Sequence, residues 1–337
     1  MAAAASTNLA IVMPVLDDWP SFAALVAEIA EQLPRDAFAV HIYAVDDGSL
    51  APFDIDRLDV PPGSCIRSLE IIKLALNLGH QRAIAVGLCA IAENAEIAQV
   101  VVMDSDGEDR PGDIAALLAA GHRHPGSVVL AGRAKRSEPA AFRACYRLYK
   151  LLFRLLTGQR IGFGNFSLLP IAAVRRLVHM PELWNNLAAS IIRSRLPYLS
   201  VPTERGVRFA GRSRMNLVSL IVHGLSAMSV HTDMIFVRVL LAALSIAAMA
   251  GFGLVAVAAI RLFTDLAIPG WATTAAGLLA VILLQTFVVT VAASLTMLAG
   301  RSTRPIVPIA DYRPFVAGRE HYRLAAAKPI MAAPAEP

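Results

Sequence analysis

Apolar runs and polar breaks alternate along the first 130 residues of the chain. Leu9-Ala10-Ile11-Val12-Met13, residues 38–45, Ile71-Ile72-Lys73-Leu74, Val100-Val101-Val102-Met103 and Val128-Val129-Leu130 are short runs rich in β-branched residues. Continuous apolar runs of this length fit strands buried on both faces, the habit of parallel sheets. Between the first two, Phe22, Leu25, Val26, Ile29 and Leu33 recur at helical spacing, with Ser21 the expected N-cap and Pro34 the stop. The helix expected after Asn77-Leu78-Gly79-His80-Gln81-Arg82 carries small residues at Ala83, Val86, Gly87 and Ala90, which let it lie close on a sheet. Pro111-Gly112-Asp113 opens a third helix, reaching about Gly121. Strand alternating with helix predicts a doubly wound α/β domain with a mostly parallel sheet.

The pattern then changes. Over residues 143–156, Leu148, Leu151, Leu152 and Leu155 form one stripe flanked by Arg143, Arg147, Lys150 and Arg154. This is an amphipathic basic helix suited to a membrane surface or to covering a site, and an ordinary surface helix fits it equally. Residues 214–230, with Met215, Leu217, Val218, Leu220, Ile221 and Leu225, make a second, read as interfacial. Residues 239–260 carry no charge, and residues 271–299 have Gln285 as their one strongly polar side chain. Each is about as long as the ~20 residues a bilayer crossing needs. Arg238 precedes the pair and Arg301, Arg304, Arg313 and Arg319 follow it, which predicts both chain ends in the cytosol.

Composition agrees with a membrane-associated protein: the 337 residues are 56% hydrophobic, with a mean hydropathy of +0.56. A net charge of +5 fits contact with anionic headgroups or phosphates. The arginines are scattered and no nucleic-acid signature is present, so nucleic acid is not an expected partner. Cys65, Cys89 and Cys145 lie far apart without metal spacing and read as reduced thiols. Residues 1–8 lack the basic and apolar regions of a signal peptide and read as a flexible N-terminus. The expected layout is a cytosolic catalytic domain over 9–213, an interfacial helix over 214–234, two spans within 235–300 and a cytosolic tail over 301–337, low in complexity from Ala325.

The chemistry sits where strands end. Asp46-Asp47-Gly48-Ser49 follows the second strand and Asp104-Ser105-Asp106 the fourth, and sites in open α/β sheets lie at the carboxyl ends of strands. Asp104 and Asp106, one residue apart, can offer oxygens to a hard cation, Mg²⁺ or Mn²⁺, and leave room for a phosphate. On its own the acidic pair reads equally as a solvated loop.

Taken in order, Val12-Met13-Pro14-Val15, Val45-Asp46-Asp47-Gly48-Ser49, Asn77-Leu78-Gly79-His80-Gln81, Asp104-Ser105-Asp106 and Phe209-Ala210-Gly211-Arg212-Ser213-Arg214-Met215 resemble the motifs of family 2 inverting glycosyltransferases with the GT-A fold. The branch they resemble most is that of the dolichyl-phosphate mannose synthases and bactoprenol glucosyltransferases, over roughly residues 9–230. The resemblance implies donor binding by Pro14, Asp18, Asp46, Asp47, Asn77, Gly79, Gln81, Asp104 and Ser105. It implies metal held by Asp104 and Asp106, with Glu108 as a third ligand, and phosphates gripped by Arg133, Arg212 and Ser213. Asp18 stands where the family usually has glutamate, and Glu108 where it usually has glutamine.

Asn165 falls where many relatives have an aspartate cast as the base that activates the acceptor. An amide cannot take a proton, whereas a lipid phosphate, with a second pKa near 6, is already an anion at neutral pH. The expectation is therefore transfer from a nucleotide-sugar to a polyprenyl (undecaprenyl-type) phosphate at a bacterial cytoplasmic membrane. Asp104, Asp106, Arg212, Asn165 and Asp109 make up the catalytic set, and relatives suggest a homo-oligomer. Asp109, Glu182 or Glu204 would have to serve as base if the acceptor were a lipid hydroxyl, the nearest rival reading. A non-catalytic membrane scaffold that binds nucleotide-sugar is the rival outside enzymes. A processive polysaccharide synthase fits less well, because Trp184 lacks the Gln-x-x-Arg that such enzymes place before it.

Overall fold

The computed structural model describes residues 7–34, 37–133, 140–159, 164–209, 217–265, 268 and 270–324. The elements run β1 (Thr7–Val15), α1 (Trp19–Gln32), β2 (Phe38–Asp46), β3 (Ile66–Leu74), α2 (His80–Ala92), β4 (Gln99–Val102), α3 (Pro111–Arg123), β5 (Val128–Arg133) and α4 (Ala140–Thr157). They continue with β6 (Ser167–Pro170), α5 (Ile171–Leu177), α6 (Leu187–Arg193), β7 (Tyr198–Thr203), α7 (Leu217–Ser229), α8 (Thr232–Phe263), α9 (Trp271–Ser302) and β8 (Val316–Arg323). The strands form one 8-stranded sheet in the order β7-β5-β6-β4-β1-β2-β3-β8. β6 and β8 run antiparallel to their neighbours and the other pairings are parallel.

The apolar runs are continuous because both sheet faces are covered. Leu9, Ile11 and Met13 of β1 join Phe22, Leu25 and Ile29 of α1 and Ile114 and Leu117 of α3 in one core. Ala10 and Val12 point the other way, into a second core with Ala83, Val86 and Leu88 of α2. Small residues do let α2 lie against the sheet: a Cβ on Gly87 would collide with Val12 Cγ2 and stand 2.9 Å from Val45 Cγ2. Both neighbours are buried valines with stiff χ1. Gly87→Ala should therefore lose more to overpacking, about 1–3 kcal/mol, than the ~1 kcal/mol it gains in helix propensity. A lowered midpoint in thermal unfolding of the solubilised protein is the expected result; a raised one would mean the helix can lift away.

Three features depart from expectation. α1 starts at Trp19 with Pro20 in its first turn and Asp18 at the N-cap position, and Ser21 is buried inside the turn rather than capping it. Proline presets the φ angle a first turn needs, and that moves the start. β3 begins at Ile66, five residues before its apolar run, with Arg67, Ser68 and Glu70 partly exposed. The stretch after α9, read as a tail, returns to the sheet: β8 pairs antiparallel with β3, Ile71 opposite Glu320 and Lys73 opposite Gly318.

The chain divides into two compact units, with the sheet, its flanking helices and residues 306–324 in one. The other contains most of α4 with α8 and α9. Within it, Phe153 meets the His231 ring edge-on at 5.9 Å, and Arg238 donates to the carbonyl of Leu155. α8 and α9 pair as a hairpin, close enough at Gly253 that a Cβ would stand 3.1 Å from Leu279 Cδ1. By length and composition both helices could cross a membrane. Their large side chains are not covered by protein, Phe252 being 77% and Phe287 67% exposed. On α4, Leu151, Leu152 and Leu155 are likewise exposed, beside Arg147, Lys150 and Arg154.

Candidate active site

β4, β1 and β2 are parallel neighbours, so their carboxyl ends open along one edge of the sheet. The chain leaving β4 is stitched to β1: Met103 N donates to Val12 O at 3.2 Å and Ser105 Oγ to Pro14 O at 2.8 Å. Ser105 is thereby buried, and the partly exposed Asp104 and Asp106 stand on either side of it. Asp109, buried, accepts from Asp104 N at 3.0 Å, which closes the loop on itself.

The acids after β2 shape backbone. Asp46 Oδ1 accepts from Ser49 N at 2.8 Å. Asp47 accepts from Leu78 N at 2.7 Å and from Gly79 N at 3.0 Å. Burial holds the Asp47 carboxyl above its ordinary pKa, and those N–H donors oppose the shift. Two glycines make the turn possible: Gly79, at φ 91°, is the N-cap of α2, and Gly48, at φ 83°, lets the backbone of Asn77 approach to 3.1 Å of where a Cβ would stand. On the other side, Asp17 Oδ1 accepts from Leu50 N at 2.7 Å, and Asp18 lies at the start of α1, partly exposed.

α2 carries two polar side chains to Asn165. Gln81 Oε1 accepts from Leu187 N at 2.9 Å, so its Nε2 must be the atom that donates to Asn165 Oδ1 at 3.0 Å. The Asn165 amide is oriented by that chain, and its Nδ2 faces His80 Nε2 at 2.9 Å. His80 Nε2 is also 3.2 Å from Asp104 Oδ1. One nitrogen cannot accept from the amide and donate to the carboxylate at once: a ring bare at Nε2 suits Asn165, and a ring protonated there, neutral or imidazolium, suits Asp104. Withdrawal from water disfavours the charged ring, but the carboxylates of Asp104, Asp109 and Asp47 outweigh it and raise the His80 pKa.

The segment after β7 runs antiparallel beside the Asp104–Asp109 loop. Gly206 N donates to Glu108 O at 2.8 Å and Phe209 N to Asp106 O at 3.1 Å, and Asp109 and Arg205 form a bridge. This pairing sets Arg208 on Asp106, with Nη2 to Oδ2 at 2.6 Å, and Arg205 on Glu108. Burial raises the Asp106 carboxyl above its usual range, while Glu108 N–H and Arg208 work against the shift. Among the expected bases, Glu182 is paired with Arg193 at 2.8 Å and the exposed Glu204 with Arg110 at 2.5 Å. Arg212, Ser213 and the side chain of Arg133 lie outside the described residues.

Sequence reasoning passed over His80, Arg205 and Arg208. His80 lies inside the Asn77–Gln81 motif, to which the resemblance gives it no role. The two arginines stand just before another, about a hundred positions from the acids they meet. Among the described residues no three His, Cys, Asp or Glu side chains converge as a ready-made metal site. The donor set nonetheless fits a hard cation, since Mg²⁺ is commonly held by one or two carboxylates plus substrate phosphates. Asp104 and Asp106 are two such carboxylates on one tight loop.

Solved structures similar to this chain include mannosyl-3-phosphoglycerate synthase from Rubrobacter xylanophilus, at 14% identity and a TM-score of 0.47 over 66% of this chain and 72% of that one. Another is glucosyl-3-phosphoglycerate synthase from Mycobacterium tuberculosis in complex with Mn²⁺, UDP-glucose and phosphoglyceric acid, at 15% identity and a TM-score of 0.49 over 69% and 82%. No curated protein sequence matches. Residues 10–173, just under half of the chain, match the family model described as Glycosyl transferase family 2. That stretch holds β2, β3, β4, β5 and the acids that follow β1, β2 and β4; the chain has the mostly parallel α/β sheet of the GT-A fold and is an enzyme of the glycosyltransferase class.

Proposed function

We propose that this enzyme transfers a sugar, with inversion, from a nucleotide-sugar to a polyprenyl (undecaprenyl-type) phosphate at a membrane surface. One observation carries the choice of acceptor: the amide of Asn165 is held with Oδ1 toward Gln81 and Nδ2 toward His80. The amide itself takes no proton, and the neighbouring His80 stands 3.2 Å from Asp104. A hydroxyl acceptor needs its proton removed as it attacks; a phosphate monoester arrives as an oxyanion. Its oxygen forms the bond to the sugar's C1 while the bond from C1 to the diphosphate oxygen breaks on the opposite face.

Asp104 and Asp106 would hold Mg²⁺ or Mn²⁺, which supplies neutralisation of charge on the departing nucleoside diphosphate. Pro14, Asp18 and Asp46 would line the nucleoside pocket, with Asp47, Asn77, Gly79 and Gln81 shaping its wall, and Arg133, Arg212 and Ser213 would hold phosphates. The uncovered apolar surface of α8 and α9, and the leucines and cations of α4, support a bilayer anchor. Both chain ends would lie on the cytosolic side.

The test is release of nucleoside diphosphate by the full chain in nanodiscs with Mn²⁺ or Mg²⁺ and a panel of nucleotide-sugars. Undecaprenyl phosphate, diacylglycerol and 3-phosphoglycerate are supplied in separate arms. Release is expected with the polyprenyl phosphate alone; turnover on either other acceptor would reject the proposed one. Asn165→Asp sharpens the choice, because Gln81 can still donate to the new carboxylate and the fold is kept. With an anionic acceptor the added charge should raise the acceptor KM several-fold and leave kcat no higher. A faster variant would show that a base was missing and the acceptor is a hydroxyl.

A further inference from the structure

We infer that Arg208 is a resident counter-ion of the metal site: it neutralises Asp106 while no metal is bound, so that a divalent cation binds well only when a nucleoside diphosphate arrives to take the guanidinium. The inference rests on the reading of Asp104 and Asp106 as metal ligands and adds an order of binding to it. Asp106 has both oxygens engaged by its own chain, Oδ1 by Glu108 N at 2.9 Å and Oδ2 by Arg208 at 2.6 Å. The first is a local turn bond whose oxygen keeps a lone pair for a metal. The second is an ion pair, with Arg208 and Asp106 side chains only 24% and 14% exposed. A cation and a guanidinium compete for the same oxygen.

Arg208 is not there by chance of a loose side chain. The paired backbones of residues 106–109 and 205–209 hold its Cα beside Asp106. The Phe209 ring is packed so closely on Gly107, itself at φ 87°, that no Cβ fits there. The backbone can therefore stay while the guanidinium alone swings off the carboxylate. Its planar fork matches two phosphate oxygens at once, so a donor diphosphate would replace the lost carboxylate and would also offer oxygens to a metal held by Asp104 and Asp106. Metal and nucleotide then favour each other's binding, and by linkage the effect is equal in both directions.

The experiment measures Mn²⁺ binding, by the loss of the free-ion paramagnetic resonance signal, to the purified full chain and to Arg208→Gln, each with and without UDP or GDP. Arg208→Gln should bind Mn²⁺ alone about tenfold more tightly than the wild type, equivalent to ~1.4 kcal/mol. The enhancement of Mn²⁺ affinity by the better nucleotide should shrink in the same variant. If Arg208→Gln does not fold, judged by circular dichroism, Arg208→Lys replaces the fork by a point charge and should show a smaller change of the same sign. Unchanged or weaker Mn²⁺ binding by a folded variant, where the wild type binds Mn²⁺ with nucleotide, overturns the counter-ion alone. Absence of Mn²⁺ binding in every sample, with or without nucleotide, overturns the metal site and this inference together.

Discussion

Asp106→Asn should lower sugar transfer by about a thousandfold or more while leaving the folded protein intact. Asparagine keeps the oxygen that accepts from Glu108 N at 2.9 Å, so the turn survives; what disappears is one negative charge. Loss of a single preorganised charge-stabilising group costs about 10²–10³ in rate. On the proposed reading the substitution would also weaken the hold on a divalent cation, which supplies several kcal/mol of transition-state stabilisation, at one decade per ~1.4 kcal/mol. The assay is initial-rate release of nucleoside diphosphate at saturating donor, with a melting curve as control. Acid should act in the same direction: burial holds the Asp106 carboxyl above its usual range, so the ligand is lost to protonation at a higher pH than an exposed aspartate would be. Activity in Asp106→Asn within tenfold of the wild type would remove the acidic pair from the chemistry.

Much of this site can be read from the chain because it is local. A strand buried on both faces advertises itself as an apolar run, and the acids that end it mark the sheet's carboxyl edge; β1, β2 and β4 are of this kind. Gly87 is legible for the same reason, since a glycine among alanines on a helix signals close approach. The unread part is long-range. Nothing near Arg208 says that it meets Asp106, 102 residues away, because that contact exists only once β7 lies at its edge of the sheet. β8 escaped notice because its alternation, Val316-Ala-Gly-Arg-Glu-His-Tyr-Arg323, puts charges on an exposed edge strand and leaves no apolar run. Arg212 and Ser213 were legible as a motif, and their geometry lies outside the described residues.

The returning segment carries the second large effect: Tyr312→Ala should destabilise the sheet unit by about 3–5 kcal/mol, the range for truncating a large buried aromatic. Tyr312 is 0% exposed and belongs to the core under α2, while its hydroxyl accepts from Arg319 at 3.0 Å. Around it the segment is tied repeatedly: Ile309 N to Val178 O at 3.0 Å, Ala75 N to Phe315 O at 2.8 Å, and the Phe315 ring 5.3 Å from that of Trp184. Lys73 and Glu320 add an ion pair at the surface, but exposed pairs contribute little, typically under 1 kcal/mol, so the buried ring dominates. In thermal unfolding the loss is on the order of 10 °C for a unit of this size. Tyr312→Phe, which keeps the ring and gives up the hydroxyl's hydrogen bonds to charged partners, Arg319 and Glu93 among them, should cost less, about 1.5–3 kcal/mol. The comparison separates packing from bonding, and a Tyr312→Ala protein as stable as the wild type would mean that the residues beyond the apolar helix pair lie on the sheet without holding it.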